Sequence, residues 1–395
     1  MHRNRIVLHV DMDSFFVEVE RLNDSSLIGK PVIVGGSPES RGVVCSASYE
    51  ARRSGVRSAM PMARAMRLCP AAVVVRVGTS DYGHYSRQVR ETLQSFSPLV
   101  EMQSIDEGYL DLTGAERIHG SPMQTAQKLR DAIWERVRLP SSCGAGPNKL
   151  VAKVASACCK PRGMLWIPHG GEAEFFAPLP IRRLPGIGPS LAAQLEAMRI
   201  RILGDLQRAG LERLCEALGG MAGAELFERA HGRSQSPVCP EREAKSVSKE
   251  TTFHRDVADR DTLEAALSRH CEHVAHRLRE IGCRAHTIQL KLRYADFRTI
   301  TRSMHFDSAT DNDREIYRAV KDLLIKELSP NARIRLIGAS ASGLTDAQWQ
   351  LDFLDEERRE KNRRLDQALD NIKERHGFQS ILWSESKKTN EKNGK

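Results

Sequence analysis

Residues 5–13 have the sequence RIVLHVDMD, and residues 100–112 have the sequence VEMQSIDEGYLDL. The first is a β-branched apolar run that predicts a buried strand ending in Asp11. The second predicts two strands joined at an acidic tip, Asp106-Glu107. Carboxylates at the ends of strands stand on rigid supports and can converge. These two stretches therefore predict a sheet that gathers acidic side chains at one end.

Helices and strands alternate irregularly around these two stretches. Phe15, Val19 and Leu22 recur at helical spacing. The predicted elements are a helix opened by Ser14, strands at 31–36 and near 143–146, and helices at 81–97, 123–137 and 148–159. This order favours an α+β sheet with helices on one face over a regular βαβ winding.

The chain changes character after residue 178. Residues 178–232 contain helical pieces broken by glycine-rich turns, and the polar segment that follows carries Pro237 and Pro240, which predicts a linker. A second α+β unit follows, with a helix at 263–278, a hairpin at 288–306 and a strand at 332–344. The tail contains a charged amphipathic helix near 355–375, with an apolar side formed by Leu365, Ala368, Leu369 and Ile372.

Bulk composition narrows the class of protein. A chain of 395 residues predicts two to four domains, and its net charge of +9 favours an anionic partner such as nucleic acid. Its nine cysteines contain no CxxC pair, which indicates reduced thiols in the cytosol. No apolar run is long enough for a membrane span, and the N-terminus lacks the pattern of a signal peptide. We therefore expect a soluble, cytoplasmic protein without a membrane partner.

The acidic residues Asp11, Asp13, Asp106 and Glu107 are candidate ligands for divalent cations. Mg²⁺ prefers oxygen ligands, usually one or two carboxylates together with phosphate oxygens and waters. Two such ions can activate a 3′-hydroxyl and stabilise a leaving pyrophosphate. Each motif alone has an ordinary alternative, since Asp13 can cap the following helix and an Asp-Glu pair is common in turns. Together they favour a metal site.

Several long motifs resemble those of one known family. HVDMDSFF (9–16) and SIDEGYLDLTG (104–114) resemble the two hallmark motifs of the Y-family DNA polymerases, specifically the DNA polymerase IV class. The likeness extends from about residue 5 to about residue 375. It includes YEARRSGVRSAMP (49–61), NKLVAKVASACCKPRG (148–163), the LPGIGP turn and the segment 245–343.

The resemblance implies a two-metal catalytic site. Asp11 and Asp106 would bridge two Mg²⁺ ions, with Mn²⁺ as a substitute, and the backbone carbonyl of Met12 would add a ligand. Glu107 would complete the site around the catalytic metal and the primer 3′-hydroxyl. Asp11, Asp106 and Glu107 are thus the expected catalytic residues, while Asp13 is expected to cap the helix.

The resemblance also implies the nucleotide contacts. Phe16 would be the steric gate, whose ring occupies the space that a ribose 2′-hydroxyl would need. The alternative is that Phe16 and Phe15 are both core residues of the helix, although Phe16 lies off its apolar stripe. The expected triphosphate-binding set is Phe15, Tyr49, Arg52 and Lys160. The family often has Asn where this chain has Arg162.

DNA contacts are expected after residue 178. Gly186 and Gly188 lie in a turn that resembles a helix-hairpin-helix, where a phosphate can approach backbone N–H groups, and Leu218-Gly219-Gly220 is a second candidate. A basic sheet face can follow the duplex backbone, and a polar outer face is the alternative. The candidate residues on this sheet are Lys291, Arg293, Arg298 and Arg302.

A short peptide in the tail resembles a sliding-clamp motif. It consists of Gln350, Leu351, Asp352, Phe353 and Leu354. Leu and Phe would fill an apolar pocket on the clamp, while Gln would form hydrogen bonds. The peptide is internal and does not follow the commoner Leu-Phe order.

The expected architecture is a multidomain right hand. It comprises a palm with inserted fingers at 1–178, a helical thumb at 179–232, a linker at 233–244, a little finger at 245–343 and a charged tail at 344–395. The implied activity is low-fidelity, template-directed addition of deoxynucleotides to a primer on damaged DNA, by a monomer without a proofreading exonuclease. Its substrates are primed template DNA and deoxynucleoside triphosphates. The alternatives are a nucleotidyl cyclase on a palm-like sheet and a catalytically silent relative that binds DNA or the clamp.

Overall fold

The computed structural model describes residues 5–241, 243–329, 332–346, 356–377 and 380–381, without the side chains of 356–363 and 367. The chain forms two compact units that divide between residues 242 and 243. No helix in the described part of the chain is both long and apolar enough to cross a membrane.

The first unit contains the two stretches that decide the fold. Its strands are β1 (Val7–Met12), β2 (Val32–Gly35), β3 (Val44–Ala47), β4 (Val73–Arg76), β5 (Val100–Met102), β6 (Glu107–Asp111), β7 (Ser141–Gly146) and β8 (Met164–Trp166). Its helices are α1 (Phe15–Asn23), α2 (Tyr49–Arg53), α3 (Met62–Leu68), α4 (Tyr82–Gln94), α5 (Glu116–His119), α6 (Pro122–Val137), α7 (Lys149–Cys158), α8 (Glu172–Phe176), α9 (Pro189–Ala197), α10 (Leu203–Ala209), α11 (Leu211–Leu218) and α12 (Gly220–Ala230).

The main sheet of this unit has the strand order β5-β6-β1-β7-β8, with β1 antiparallel to both of its neighbours. Leu8 and Val10 point to a core that also contains residues of α4 and α6. Val7, on the opposite face of β1, packs with Ala152 of α7. Helices therefore cover both faces of the sheet, and the prediction that they lie on one face was wrong.

Glycine in β7 allows α7 to pack closely on that second face. A Cβ atom added to Gly144 would lie 2.2 Å from the backbone oxygen of Ala152 and 2.2 Å from the backbone nitrogen of Ser156. Real Cβ atoms do not approach this closely, so the strand needs glycine here. This approach brings the lysines of α7 to the sheet.

Two smaller structures flank the main sheet. The strands β3-β2-β4 form a separate sheet that packs on α2 and α3 around residues such as Ile33 and Met62. Helices α9–α12 share a core with α7. Part of the predicted linker also packs in this unit: Val238 is buried with Val7 and Tyr109, and Arg5 donates from Nη1 to the carbonyl of Ser236 at 3.1 Å.

The second unit is an α+β layer. Its elements are β9 (Ser246–Val257), α13 (Arg260–Glu280), β10 (Cys283–Tyr294), β11 (Thr299–Thr310), α14 (Asp313–Glu327), β12 (Ile334–Asp346) and α15 (Glu356–His376). The sheet order is β11-β10-β12-β9. Alternate residues of β10, such as Ile288 and Leu290, are buried against α13 and α14. The opposite face of the sheet carries mainly polar residues.

The tail helix α15 contacts this unit through its polar side. Lys373 is buried and its Nζ donates to a Glu272 carboxylate oxygen at 3.0 Å, while Asp366 is 7% exposed. Leu365 and Ile372 are instead 45% and 37% exposed. The predicted helix is therefore present, but these two apolar residues are not the ones that it buries.

Candidate active site

The main sheet of the first unit brings the predicted carboxylate residues to one of its ends. Strand pairing places Asp11 directly opposite Glu107. The backbone N–H of Met12 donates to the carbonyl oxygen of Asp106 at 2.9 Å. A buried, hydrogen-bonded sheet thus fixes the backbones of all four predicted metal-site residues.

Two lysines neutralise this end of the sheet. Lys160 Nζ lies 2.5 Å from Asp11 Oδ1, and Lys153 Nζ donates to both carboxylate oxygens of Glu107 at 2.6 Å. The Asp106 carboxylate accepts a hydrogen bond from the Ser104 hydroxyl. Within the described ranges, no three His, Cys, Asp or Glu side chains lie close enough together to hold a metal ion.

Burial and the two lysines have opposite effects on the carboxylates. Burial raises the pKa of Asp11, and Lys160 offsets this only in part. Burial also opposes ionisation of Glu107, but the adjacent His9 ring and the hydrogen-bonded Lys153 ammonium outweigh it and lower the pKa of Glu107 to about 2. Burial thus makes the ionised form of Asp11 costly, and further positive charge beside it would stabilise that form. An oxygen-rich, electron-donating site of this kind fits Mg²⁺.

Asp13 does not cap the helix, which corrects the prediction. Helix α1 begins after Ser14, whose φ of 49° is left-handed and whose hydroxyl donates to the carbonyl of Ala47. The Asp13 carboxylate is 1% exposed and accepts hydrogen bonds from Tyr49, Ser142 and the backbone of Arg162. All three partners are distant in sequence, so a local capping signature could not reveal them.

The neighbouring residues Phe15 and Phe16, of which Phe16 is the predicted steric gate, differ in exposure. Phe15 is 1% exposed and belongs to the palm core. Its ring is enclosed, so the triphosphate contact predicted for Phe15 would have to come from its backbone. Phe16 is partly buried and contacts the ring of Tyr82 edge-on, with 4.7 Å between centroids. Leu22, predicted to share the buried stripe with Phe15 and Val19, is 41% exposed.

The predicted triphosphate residues converge from two segments. Arg52 donates from Nε to the carbonyl of Ala47 at 2.9 Å, and its guanidinium lies 5.0 Å from the centre of the Tyr49 ring. Arg53, the next residue of α2, is exposed. Lys160 arrives from the loop after α7 and reaches Asp11. Burial and the Asp13 carboxylate raise the pKa of the Tyr49 phenol, which keeps it a neutral donor.

His9 and Lys153 are site residues that sequence reasoning missed. None of the 13 histidines received a role, yet His9 is fully buried with Nε2 3.4 Å from Glu107 and Nδ1 2.7 Å from the Ser156 hydroxyl. Burial lowers its pKa. Strand periodicity contained the signal, because His9 precedes Asp11 by two residues and so shares its face.

The helix-hairpin-helix candidates both precede helices of the first unit, α9 and α12. Gly186 has a φ of 89°, which only glycine adopts without strain, and Gly188 caps α9. Gly219, with a φ of 90°, caps α12 in the second candidate. Nothing lies within 4 Å of a Cβ atom built at Gly188 or Gly219, so the backbone is open to approach at both turns.

The basic residues of the second unit lie on different faces of the sheet. Lys291 and Arg293 alternate with the buried residues of β10 and face outward. Arg302 pairs with Leu290 across the strands, so it faces the helices, where its Nε lies 2.7 Å from Glu327. Arg298 stacks on the Tyr294 ring at 4.4 Å in the β10–β11 turn.

The predicted clamp peptide cannot be placed. Its residues Gln350, Leu351, Phe353 and Leu354 lie outside the described residues.

Comparison with known proteins gives one consistent result. The impB/mucB/samB family matches residues 10–157, its C-terminal domain matches 244–353, and the "DNA polymerase-iota, thumb domain" family matches 182–233. The chain is 41% identical over 379 residues to DNA polymerase IV of Desulfatibacillum aliphaticivorans, covering 95% of each. It is 42% identical over 349 residues to DNA polymerase IV of Halorhodospira halophila, covering 88% of this chain and 98% of the relative.

A solved structure shares the fold. A Y-family DNA polymerase chimera superposes with a TM-score of 0.73 over 86% of this chain and 99% of its own, at 24% sequence identity. This similarity confirms the α+β right-hand architecture with a helical thumb. The chain belongs to the impB/mucB/samB family, the Y-family translesion DNA polymerases, in their DNA polymerase IV class, and it is a DNA-directed DNA polymerase.

Proposed function

We propose that the chain adds deoxynucleotides to a primer 3′ end by two-metal phosphoryl transfer at Asp11, Asp106 and Glu107. The observation that carries this proposal is the strand pairing of Asp11 with Glu107, beside the hydrogen bond between Met12 and Asp106. It fixes two separate acidic motifs on adjacent rigid strands. Carboxylates so placed can share ions with the phosphates of an incoming nucleotide.

Asp11, Asp106, Glu107 and the Met12 carbonyl would hold two Mg²⁺ ions, or Mn²⁺ in their place. When bound, the ions supply positive charge that activates the primer hydroxyl and stabilises the departing pyrophosphate. In the reaction the primer 3′-hydroxyl gives up its proton to solvent and its oxygen bonds to the α-phosphorus. The bond from that phosphorus to the bridging oxygen breaks, and pyrophosphate leaves with that oxygen.

The chain's own residues would bind and orient the nucleotide. Arg52 and Lys160 place positive charge beside the triphosphate, where a guanidinium and an ammonium suit a polyanion. Lys160 would exchange its contact with Asp11 for a phosphate oxygen. Phe16 would exclude a ribose 2′-hydroxyl, and Lys153 would keep Glu107 ionised.

We further propose low-fidelity synthesis without a proofreading exonuclease. The fingers contain only the short strands β2–β4 and helices α2 and α3, which leave little structure to enclose a base pair. The described elements are accounted for by palm, fingers, thumb, little finger and α15. Primed DNA would be held by Gly186 and Gly188 of the thumb and by the outer sheet face that carries Lys291 and Arg293. Clamp binding, a monomeric state and a cytoplasmic location stay predictions.

Primer extension tests the proposal. The parent, Asp106→Ala and the control Asp111→Ala are given a primed template, four deoxynucleotides and Mg²⁺. Asp111 belongs to the same strand as Glu107 but pairs with Val7 at the opposite end of the sheet. We expect extension by the parent and the control, and a loss of about a thousandfold in Asp106→Ala, or roughly 4 kcal/mol of transition-state stabilisation.

Two results would contradict the proposal. A parent that binds primed DNA but does not extend it would identify a catalytically silent relative. Equal extension by Asp106→Ala and the parent would place the active site elsewhere or expose a contaminating polymerase.

A further inference from the structure

Asp13 is a buried carboxylate that joins three separate segments beside the catalytic end of the sheet. Its Oδ1 accepts from the Tyr49 phenol at 3.0 Å, and its Oδ2 accepts from the backbone N–H of Arg162 at 2.8 Å. The Ser142 hydroxyl lies 3.0 Å from both oxygens. One side chain thus connects α2 of the fingers, strand β7 of the palm and the loop after α7.

The hydrogen bonds described for Asp13 all come from neutral donors. A buried carboxylate is stable only when its lone pairs are satisfied, and each bond to it is charge-assisted. Because no single ion pair dominates, the favourable energy depends on all three segments being in place together. Such a carboxylate fixes relative geometry more than it adds net stability.

Two of these segments carry the expected triphosphate contacts. The phenol of Tyr49 points its proton at Asp13, which fixes the ring on which the Arg52 guanidinium lies at 5.0 Å. Arg162 has a left-handed φ of 54° and follows Lys160 by two residues. The hydrogen bond from its N–H therefore fixes the end of the loop that presents the Lys160 ammonium.

We propose that Asp13 is a positioning residue that sets Tyr49, Arg52 and the Lys160 loop at the spacing needed to bind a deoxynucleoside triphosphate. It acts through these groups and is neither a metal ligand nor a helix cap. The inference rests on the proposed polymerase function, since it concerns the nucleotide of that reaction. This role accounts for the different surroundings of the two aspartates in Asp11-Met12-Asp13: Asp13 is enclosed by hydrogen-bond donors, whereas Asp11 contacts a lysine.

Two substitutions at Asp13 separate positioning from metal binding. In Asp13→Asn the amide oxygen can accept from the Arg162 N–H while the amide nitrogen donates to the Tyr49 oxygen, so the three segments stay connected. Asp13→Ala removes every connection. A metal ligand would lose its function in both variants, whereas a positioning residue keeps most of it in the asparagine variant.

The experiment is single-nucleotide insertion on primed DNA, with the deoxynucleotide titrated in the presence of Mg²⁺. Asp13→Ala should raise the KM for the nucleotide roughly tenfold or more, the effect of losing a hydrogen bond to a charged group. Asp13→Asn should raise it by less than about threefold, and the double variant Asp13→Ala/Tyr49→Phe should be no worse than Asp13→Ala. Primed-DNA affinity should not change, and Asp111→Ala serves as the control.

Three results would overturn the inference. The first is an unchanged KM in Asp13→Ala. The second is an equal loss in both Asp13 variants together with a raised Mg²⁺ requirement, which would make Asp13 a metal ligand. The third is additive effects of Asp13→Ala and Tyr49→Phe, which would show that the two residues act separately.

Equilibrium binding of a non-hydrolysable deoxynucleotide analogue to the protein–DNA complex gives a second readout. Weaker binding by Asp13→Ala than by the parent is expected even if the parent does not extend primers, in which case only the polymerase proposal fails. Equal binding overturns the role of Asp13 alone. If Asp13→Ala does not fold, Tyr49→Phe removes one of the same hydrogen bonds, and unchanged analogue binding by that variant also overturns the inference.

Discussion

The pair formed by Lys149 and Glu101 predicts a large loss of stability from one isosteric substitution. Lys149 Nζ lies 2.6 Å from Glu101 Oε2, and the two side chains are only 10% and 3% exposed. The same oxygen accepts from the backbone N–H of Cys239 at 2.9 Å, which fixes the segment that leaves the first unit. Glu101→Gln keeps the shape and an acceptor for Cys239, but it leaves the ammonium buried without its counter-charge.

Removing one partner of a buried ion pair costs about 3–5 kcal/mol. The Tyr109 ring, 4.9 Å from Lys149 Nζ, offsets roughly 1 kcal/mol of this through its cation–π attraction. We therefore expect Glu101→Gln to lower the free energy of unfolding of the first unit by about 3 kcal/mol. Replacing both partners, as Glu101→Leu/Lys149→Met, should recover most of that loss because no charge stays buried.

Urea unfolding combined with amide hydrogen exchange measures the effect and locates it. Exchange at Val238 and Cys239 should accelerate in Glu101→Gln. The matched control is Glu91→Gln, which breaks an exposed ion pair with Arg136 and should cost less than about 1 kcal/mol. A loss in Glu101→Gln no larger than in this control, or a double variant less stable than the single one, would refute the reasoning.

Three further predictions follow from other sites. Phe16→Ala should admit ribonucleotides, as measured by the ratio of kcat/KM for dNTP to that for the matching rNTP, and an unchanged ratio would remove the gate assignment. Gly144→Ala should lower the free energy of unfolding by at least about 2 kcal/mol, because its Cβ would lie 2.2 Å from the Ala152 carbonyl, whereas Gly220→Ala, in open space, should be neutral or stabilising. Burial lowers the pKa of His270 to about 3, so below pH 6.5 the unfolded chain binds a proton that the folded unit does not. The contribution of His270 to the free energy of unfolding therefore falls by up to about 1.4 kcal/mol per pH unit as the pH decreases. Urea unfolding should show that His270→Phe loses less stability than the parent between pH 7 and 5.

The sequence predicted the elements whose pattern is local and apolar. The run before Asp11 and the acidic tip at Asp106 predicted the strands β1, β5 and β6, because each is bounded by turn residues and buried on the palm. By contrast β9, Ser246–Val257, was missed. It is a mostly exposed edge strand, so it lacks the apolar alternation that identifies a half-buried strand.

Site residues with distant partners could not be predicted from local patterns. Asp13 precedes a helix and matches a capping signature, yet its hydroxyl partner Ser142 is 129 positions away. Strand alternation puts His9 on the same face as Asp11, but its contact with Glu107 depends on the pairing of β1 with β6. In the tail, helical periodicity identified an apolar stripe, but buried ion pairs such as Lys373 with Glu272 decide which side packs.

Template-directed insertion under single-turnover conditions tests the proposed chemistry most directly. Each deoxynucleotide is offered opposite each of the four template bases, to the parent, to Asp11→Asn and to the control Asp111→Asn. The parent and the control should prefer the complementary nucleotide, and Asp11→Asn should lower the insertion rate by about a thousandfold while binding primed DNA as tightly. Insertion that ignores the template base, or an Asp11→Asn variant as fast as the parent, would contradict templated synthesis at these carboxylates.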